Sequence, residues 1–327
     1  MVNSAEAILR VNNLVTVFRT KLGVVKAVDD VSFSLGRGEI FGLVGESGSG
    51  KSATCRSIIG LIKDPPGRIV SGTVMYKEKN LLALPESKMR DIRGAQISMI
   101  FQDPMTALNP VMRVGRQIME AFLEHTRIGY KEAKSKSIDF LKLVGVPAAE
   151  DRFNDYPHNF SGGMRQRVLI AMALALKPRI LLADEPTTAL DVTIQDQILK
   201  LILSLQMEFD LSVIMVSHNL GVIAQTCGRL AVMYAGQILE IGTTKSLFNH
   251  PRHPYTQALL ESIPSEGKKS ARLKSIKGSP PFMVSPPSGC RFHPRCPFVE
   301  EDCKHTIYHL REVSDSQFSA CIKNRFD

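Results

Sequence analysis

No apolar run in this 327-residue chain is long enough to cross a bilayer. The longest, VLIAMALAL at residues 168–176, stops at Lys177-Pro178, whereas a spanning helix needs roughly 20 such residues. The first residues, MVNSAEAILRVNN, lack the charged and apolar regions of a signal peptide. There is no internal repeat and no sustained heptad pattern, so a long coiled coil is not expected. These absences predict a chain that stays in a reducing cytoplasm, where structural disulfides are uncommon. The formal net charge of +9 suits nucleic acid, phosphates, an anionic membrane surface or simply a solvated basic face. Charge therefore decides nothing alone. At about 150 residues per domain, the length allows two domains or one large domain with an appendage.

What is present is an alternation of two textures. IFGLVG (40–45), QISMIF (96–101), RILLAD (179–184) and LSVIMVSH (211–218) are short apolar runs that read as buried strands. RQIMEAFLEHT and KEAKSKSIDFLKLVGV have helical spacing and lie between Gln102 and Ser161. The expectation is an α/β fold: a mostly parallel sheet covered by helices, with a helical subdomain at about residues 103–168 inside a core spanning 1–250. After Gly242 the texture changes. The stretch TTKSLFNHPRHPYTQALLESIP gives a short, proline-punctuated helical piece, and KGSPPFMVSPPSG (277–289) reads as a linker. Residues 251–327 are thus expected to form a small cysteine-bearing extension.

GESGSGKS, at residues 45–52, follows the strand-like IFGLV and precedes the helix-like ATCRSIIGLI. It fits the phosphate-loop pattern G-x4-G-K-S/T in the structural context that pattern needs. Glycines let the backbone wrap a polyphosphate and turn its N–H groups inward, and the following helix adds the positive end of its dipole. Lys51 supplies a cation for the β- and γ-phosphates, and the Ser52 hydroxyl can ligate Mg²⁺. RILLADEP ends a buried strand in Asp184, placed to hold Mg²⁺, and Glu185, placed to accept a hydrogen bond from an attacking water. Together these point to a nucleoside triphosphatase.

FSGGMRQRV (160–168) resembles the signature motif of the ABC ATPases, with Met164 where many members have glutamine. In family order, Gln102 in FQDP resembles the Q-loop, Thr187–Asp191 the D-loop and His218 the switch histidine, across Leu9 to about Gly242. The resemblance implies ATP contacts at Gly45, Glu46, Ser47, Gly48, Ser49, Gly50, Lys51, Ser52 and Ala53, with Phe18 stacked on adenine. It implies Mg²⁺ at Ser52, Gln102 and Asp184. In this family two domains meet head to tail, so Ser161, Gly162, Gly163, Met164 and Asp191 would serve the partner's ATP. Glu185 would polarise water and His218 would hold the γ-phosphate. FQDPMTALNPVMRVG, NHPRHPYTQALLESIP and the terminal cysteine segment are similar to the ATP-binding subunits of oligopeptide and dipeptide importers. The implied partners are a sibling ABC ATPase, two membrane permeases and an extracytoplasmic peptide-binding protein, with this chain peripheral on the cytoplasmic face of the inner membrane. Importers of nickel, glutathione or short glycosides share this architecture. An ABC ATPase of DNA repair is disfavoured because no coiled-coil insertion is present, and no nucleic-acid partner is expected.

Four of the six cysteines, Cys290, Cys296, Cys303 and Cys321, are spaced C-x5-C-x6-C-x17-C. Thiolates bind soft metals, and a small proline-rich tail needs a staple, so metal ligation is expected rather than disulfides. Zinc is the generic choice, and His293 and His305 keep a mixed site open, but the short C-x2-4-C pairs of zinc sites are absent. Wider spacing suits a cubane cluster. The resemblance to peptide-importer ATPases implies a 4Fe–4S cluster on these four residues, with zinc as the alternative. Cys55 and Cys227 are expected in the core.

Overall fold

The computed structural model describes residues 7–188, 190–262 and 276–323. Ala189 of the Thr187–Asp191 segment, and Ile263-Pro264 at the end of the proline-punctuated stretch, lie outside the described residues. The strands are β1 (Ala7–Thr20), β2 (Gly23–Gly36), β3 (Ile40–Val44), β4 (Gly67–Tyr76), β5 (Lys79–Asn80), β6 (Ile97–Ile100), β7 (Ile180–Asp184), β8 (Ser212–Ser217), β9 (Arg229–Tyr234), β10 (Gln237–Thr243), β11 (Arg311–Ser314) and β12 (Gln317–Ser319). The chain divides into two compact units. One joins the residues up to Ala83 with those from Met215 onward, and the other is Leu84–Ile214. No helix among the described residues is long and apolar enough to cross a membrane.

In the first unit β1, β2, β4 and β5 form an antiparallel sheet in the order β2–β1–β4–β5. One face is apolar because Leu9 and Val11 on β1, and Val31, Phe33 and Leu35 on β2, alternate inward. Val28 also faces the core although it lies an odd number of residues from Val31. The β1–β2 pairing shifts register there, and Asp30 takes φ 57 between the two valines. Phe33 stacks on Phe41 of β3 at 5.2 Å between ring centres. β3 runs parallel to β9, with Phe41 opposite Arg229 and Val44 opposite Val232. β10 returns antiparallel to β9, and the C-terminal strands β12 and β11 extend that edge, β12 pairing Ser319 with Glu240. The antiparallel parts are an addition to the parallel core expected from the sequence. The tail strands carry too few apolar residues to register as buried runs.

The second unit pairs β6 and β7 in parallel, Ile97 opposite Ile180 and Ile100 opposite Ala183, with every residue of both strands buried. Burial on both faces explains why these strands read as unbroken apolar runs. The helices of this unit include Val114–His125, Tyr130–Leu143, Gly162–Leu174 and Val192–Phe209. Val192–Phe209 buries Ile198, Leu199, Ile202 and Leu205, a stripe at helical spacing. Phe140 lies 6.1 Å from Phe122 and 6.5 Å from Phe209 between ring centres, tying three helices together. Truncating a core side chain such as Leu205 to alanine would cost about 2–5 kcal/mol. β8 carries the chain from this unit back into the first.

Candidate functional site

In the first unit, β3 feeds directly through residues 45–50 into the helix Lys51–Ile58. Two glycines make the loop shape compulsory. Gly45 has φ 153 and a Cβ there would lie 2.1 Å from the Met233 carbonyl oxygen. Gly50 has φ 105 and a Cβ there would lie 2.2 Å from the Ala27 carbonyl oxygen. Lys51 is buried, and its Nζ donates to the carbonyls of Gly45 (2.8 Å) and Glu46 (3.0 Å) and to Ser49 Oγ (3.4 Å). The ammonium is thus held over the loop, while Ser47 and Gly48 are exposed at its tip. Ser52 and Ala53 are half-buried in the helix's first turn. His218 is exposed just after β8, and Asn219 caps the following helix by accepting from the Gly221 N–H at 2.9 Å. Phe18 is half-buried on β1, opposite Gly67 of β4, and a Cβ on Gly67 would lie 2.6 Å from the Phe18 ring.

The second unit gathers the acidic residues. Asp184 is fully buried at the end of β7. Glu185 follows at φ 48, a left-handed conformation that disfavours a side chain by roughly 1–2 kcal/mol. Its Oε2 accepts from Gln102 Nε2 and from Thr188 Oγ1, both at 2.9 Å. Gln102 and Glu185, far apart in the sequence, therefore meet. Thr188 joins them, and its place in the TTALD segment was the only signal for it.

The signature residues lie on the same unit. Ser161 Oγ accepts from the Met164 N–H at 3.3 Å and caps the helix Gly162–Leu174, leaving Ser161 and Gly162 exposed at a helix start. A Cβ on Gly163 would lie 2.8 Å from Ile194 Cγ2, so glycine allows the signature helix to approach Val192–Phe209 closely. Asp191 acts locally, its Oδ1 accepting from the Ile194 N–H at 3.0 Å and capping that second helix.

The C-terminal extension belongs to the first unit. His253 is buried and its Nδ1 accepts from the Tyr255 N–H at 3.0 Å, capping the helix Pro254–Glu261. Burial lowers its pKa to about 3, so the ring is neutral and can act as the acceptor. Glu240, buried on β10, accepts from the N–H groups of Arg252 (2.7 Å) and His253 (3.0 Å) and from Gln317 Nε2 (2.8 Å), and burial raises its pKa. This network joins the HPYTQALL segment to β12. The Tyr255 hydroxyl accepts from the Glu46 N–H at 3.0 Å, and Arg295 makes a forked ion pair with the Glu46 carboxylate at 2.7 and 3.1 Å. Arg291 pairs with Asp29 and donates to the Ala235 carbonyl.

Cys290, Cys296, Cys303 and Cys321 line one small hollow of about 20 Å³, together with apolar residues such as Phe292 and Phe298. Burial, reinforced by the other three thiols, pushes the Cys290 thiol up to about 12, and burial also raises Cys296. Among the described residues, no group of three or more His, Cys, Asp or Glu is arranged to hold a metal ion. His305 stands on the exposed side, 3.3 Å from Glu301, whereas His293 borders the hollow and its Nδ1 lies 3.0 Å from the Cys290 carbonyl oxygen. Cys55 and Cys227 are buried in the core, as expected.

A family model described as ABC transporter matches residues 28–188, and one described as oligopeptide/dipeptide transporter, C-terminal region, matches residues 239–303. The dipeptide transport ATP-binding protein DppD of Bacillus subtilis (strain 168) is 53% identical across 97% of this chain and 94% of its own length. The chain belongs to the oligopeptide/dipeptide ABC transporter ATP-binding proteins. Within that family, OppD of Salmonella typhimurium (strain LT2), an oligopeptide transport ATP-binding protein, is 46% identical across 98% of this chain and 94% of its own length. The cassette fold of this ATP-binding protein resembles that of MJ0796, solved as a dimer in a post-hydrolysis state with ADP and phosphate. The TM-score is 0.65 at 26% identity, over 72% of this chain and 98% of that one.

Proposed function

We propose that this chain is an ATP-hydrolysing subunit that powers import of dipeptides or oligopeptides through an ABC transporter. The observation that carries the reading is the joint presence of a complete cassette and the C-terminal region described for oligopeptide/dipeptide transporters. In this reading the loop Gly45–Ser52 with Ala53 binds the phosphates, Lys51 leaves its carbonyl perch for the β- and γ-phosphates, and Phe18 stacks on adenine. Ser52, Asp184 and Gln102 would hold Mg²⁺, which would supply neutralisation of the phosphate charge. Glu185, oriented by Gln102 and Thr188, draws a proton of the attacking water toward its carboxylate, and His218 steadies the γ-phosphate. The water oxygen bonds to phosphorus as the bond to the ADP oxygen breaks, giving ADP and phosphate.

A sibling ATPase completes each site. The helix start at Ser161, Gly162, Gly163 and Met164 would close over the ATP held by the sibling, and Asp191 would stand at that junction. ATP binding then favours the closed dimer and hydrolysis releases it. The pair sits peripherally on the cytoplasmic face of the inner membrane, on two permeases fed by an extracytoplasmic peptide-binding protein.

For the extension, we propose a 4Fe–4S cluster on Cys290, Cys296, Cys303 and Cys321. What supports it is that four thiols border one hollow and that burial raises the pKa of Cys290 and Cys296, a cost that a bound metal centre would offset. Such a cluster would serve as a staple for the tail. The transport reading is tested in vesicles holding the assembled complex. Peptide-dependent ATP hydrolysis with uptake of labelled dipeptide is expected. Stimulation by nickel, glutathione or a short glycoside, and none by peptides, would assign the complex to those importers instead.

A further inference from the structure

Glu46 is the acidic residue of the phosphate loop, and it is held at three points. Its N–H donates to the Tyr255 hydroxyl at 3.0 Å, its carbonyl accepts from Lys51 at 3.0 Å, and its carboxylate takes the Arg295 fork at 2.7 and 3.1 Å. Two of these three partners come from the C-terminal extension, more than 200 positions away in the chain. Arg295 is itself fixed. Its remaining N–H groups reach the carbonyls of Lys277 (3.0 Å) and Gly278 (3.2 Å), and its side chain is only 6% exposed above the Tyr234 ring. Tyr255 is equally constrained, with its ring 4.6 Å from that of Tyr234 and both fully buried.

We propose that the C-terminal extension presets the phosphate loop for ATP, with Arg295 and Tyr255 as positioning residues that hold Glu46 and cancel its charge. The inference rests on the assignment of residues 45–53 to the phosphates of ATP. Two physical effects follow. A carboxylate in this loop repels an incoming polyphosphate unless a cation answers it, and Arg295 is that cation. A loop already ordered at the N–H, carbonyl and carboxylate of one residue has less entropy to lose when nucleotide binds. Because Arg295 directly precedes Cys296, the order of the cysteine segment reaches the nucleotide site through one side chain.

The test is equilibrium titration of the full-length chain with ADP and with a non-hydrolysable ATP analogue, alongside steady-state kinetics of the assembled transporter. Arg295→Gln should weaken nucleotide binding by about tenfold, as expected for leaving a paired charge unanswered, and raise KM for ATP with kcat little changed. The loss should shrink as salt rises. Glu46→Gln combined with Arg295→Gln should recover most of the lost affinity, because the repelling charge is gone. A purely structural role for Arg295 would not produce that recovery. Binding by folded Arg295→Gln within twofold of wild type, or a double variant as weak as Arg295→Gln, overturns the proposal. Should Arg295→Gln fail to fold, Arg295→Lys is read instead. It keeps the charge but loses the fork and should weaken binding about threefold; affinity equal to wild type overturns the proposal. Lys51→Ala separates the two readings. If it binds nucleotide as tightly as wild type, the assignment of the loop fails; if it weakens binding while Arg295→Gln does not, only the present inference fails.

Discussion

Replacing Glu185 with glutamine changes one oxygen for an amide nitrogen on a side chain whose position is already set by its neighbours. The Gln102 amide and the Thr188 hydroxyl both donate to Oε2 at 2.9 Å. The glutamine can turn its amide oxygen to the same two donors, so the thermal unfolding midpoint should hardly move. What it loses is the capacity to take a proton from water. A positioned general base contributes about 10²–10⁴ in rate, which corresponds to about 2.7–5.4 kcal/mol of barrier. Phosphate release by the assembled transporter should fall by that factor at this site, while ATP remains bound and the dimer stays closed through gel filtration. The sibling's site must be silenced in both samples so that only this chain's turnover is counted. Turnover within about fivefold of wild type, with Glu185→Gln confirmed as folded, would refute the assignment of Glu185 as the group that activates water.

Three further outcomes are expected. His253 is neutral in the fold with its pKa lowered to about 3, whereas an unfolded chain takes up that proton near its ordinary value, so stability is complete above about pH 6.5 and is lost as pH falls. At pH 5 the loss is about 2 kcal/mol; His253→Asn, which keeps a capping acceptor, should flatten the slope of urea midpoint against pH, and an unchanged slope would count against it. Asp191→Ala removes the cap on Val192–Phe209 and should cost about 1 kcal/mol in chemical unfolding, whereas Asp191→Asn should cost much less. Anaerobically purified protein should carry iron and acid-labile sulfide that Cys296→Ser removes; colourless protein with neither, from iron-replete cells, would sink the cluster proposal.

The chemistry of the nucleotide site was legible wherever it is local in the chain. Strand, glycine loop, lysine and helix in GESGSGKS occupy consecutive residues, and the backbone geometry at Gly45 and Gly50 leaves that sequence few other shapes. The same holds for Ser161 and Asp191, whose side chains cap helices beginning at the next residue. The buried strands of the parallel core announce themselves because burial on both faces demands apolar residues throughout. Partnership between distant residues has no such trace. Nothing in FQDP or DEP says that Gln102 and Thr188 converge on one oxygen of Glu185. Nothing in HPYTQALL or RFHPRC says that Tyr255 and Arg295 meet at Glu46. The pairing of β12 with β10 and the antiparallel sheet around β1 were equally silent, since hydrogen bonds between strands use backbone groups that every residue carries. Sequence alone therefore specified the phosphate-loop pattern and picked out four cysteines that line one hollow. Tertiary structure decided which side chain orients which, because those contacts depend on where the packed core brings remote segments and not on the residues beside them.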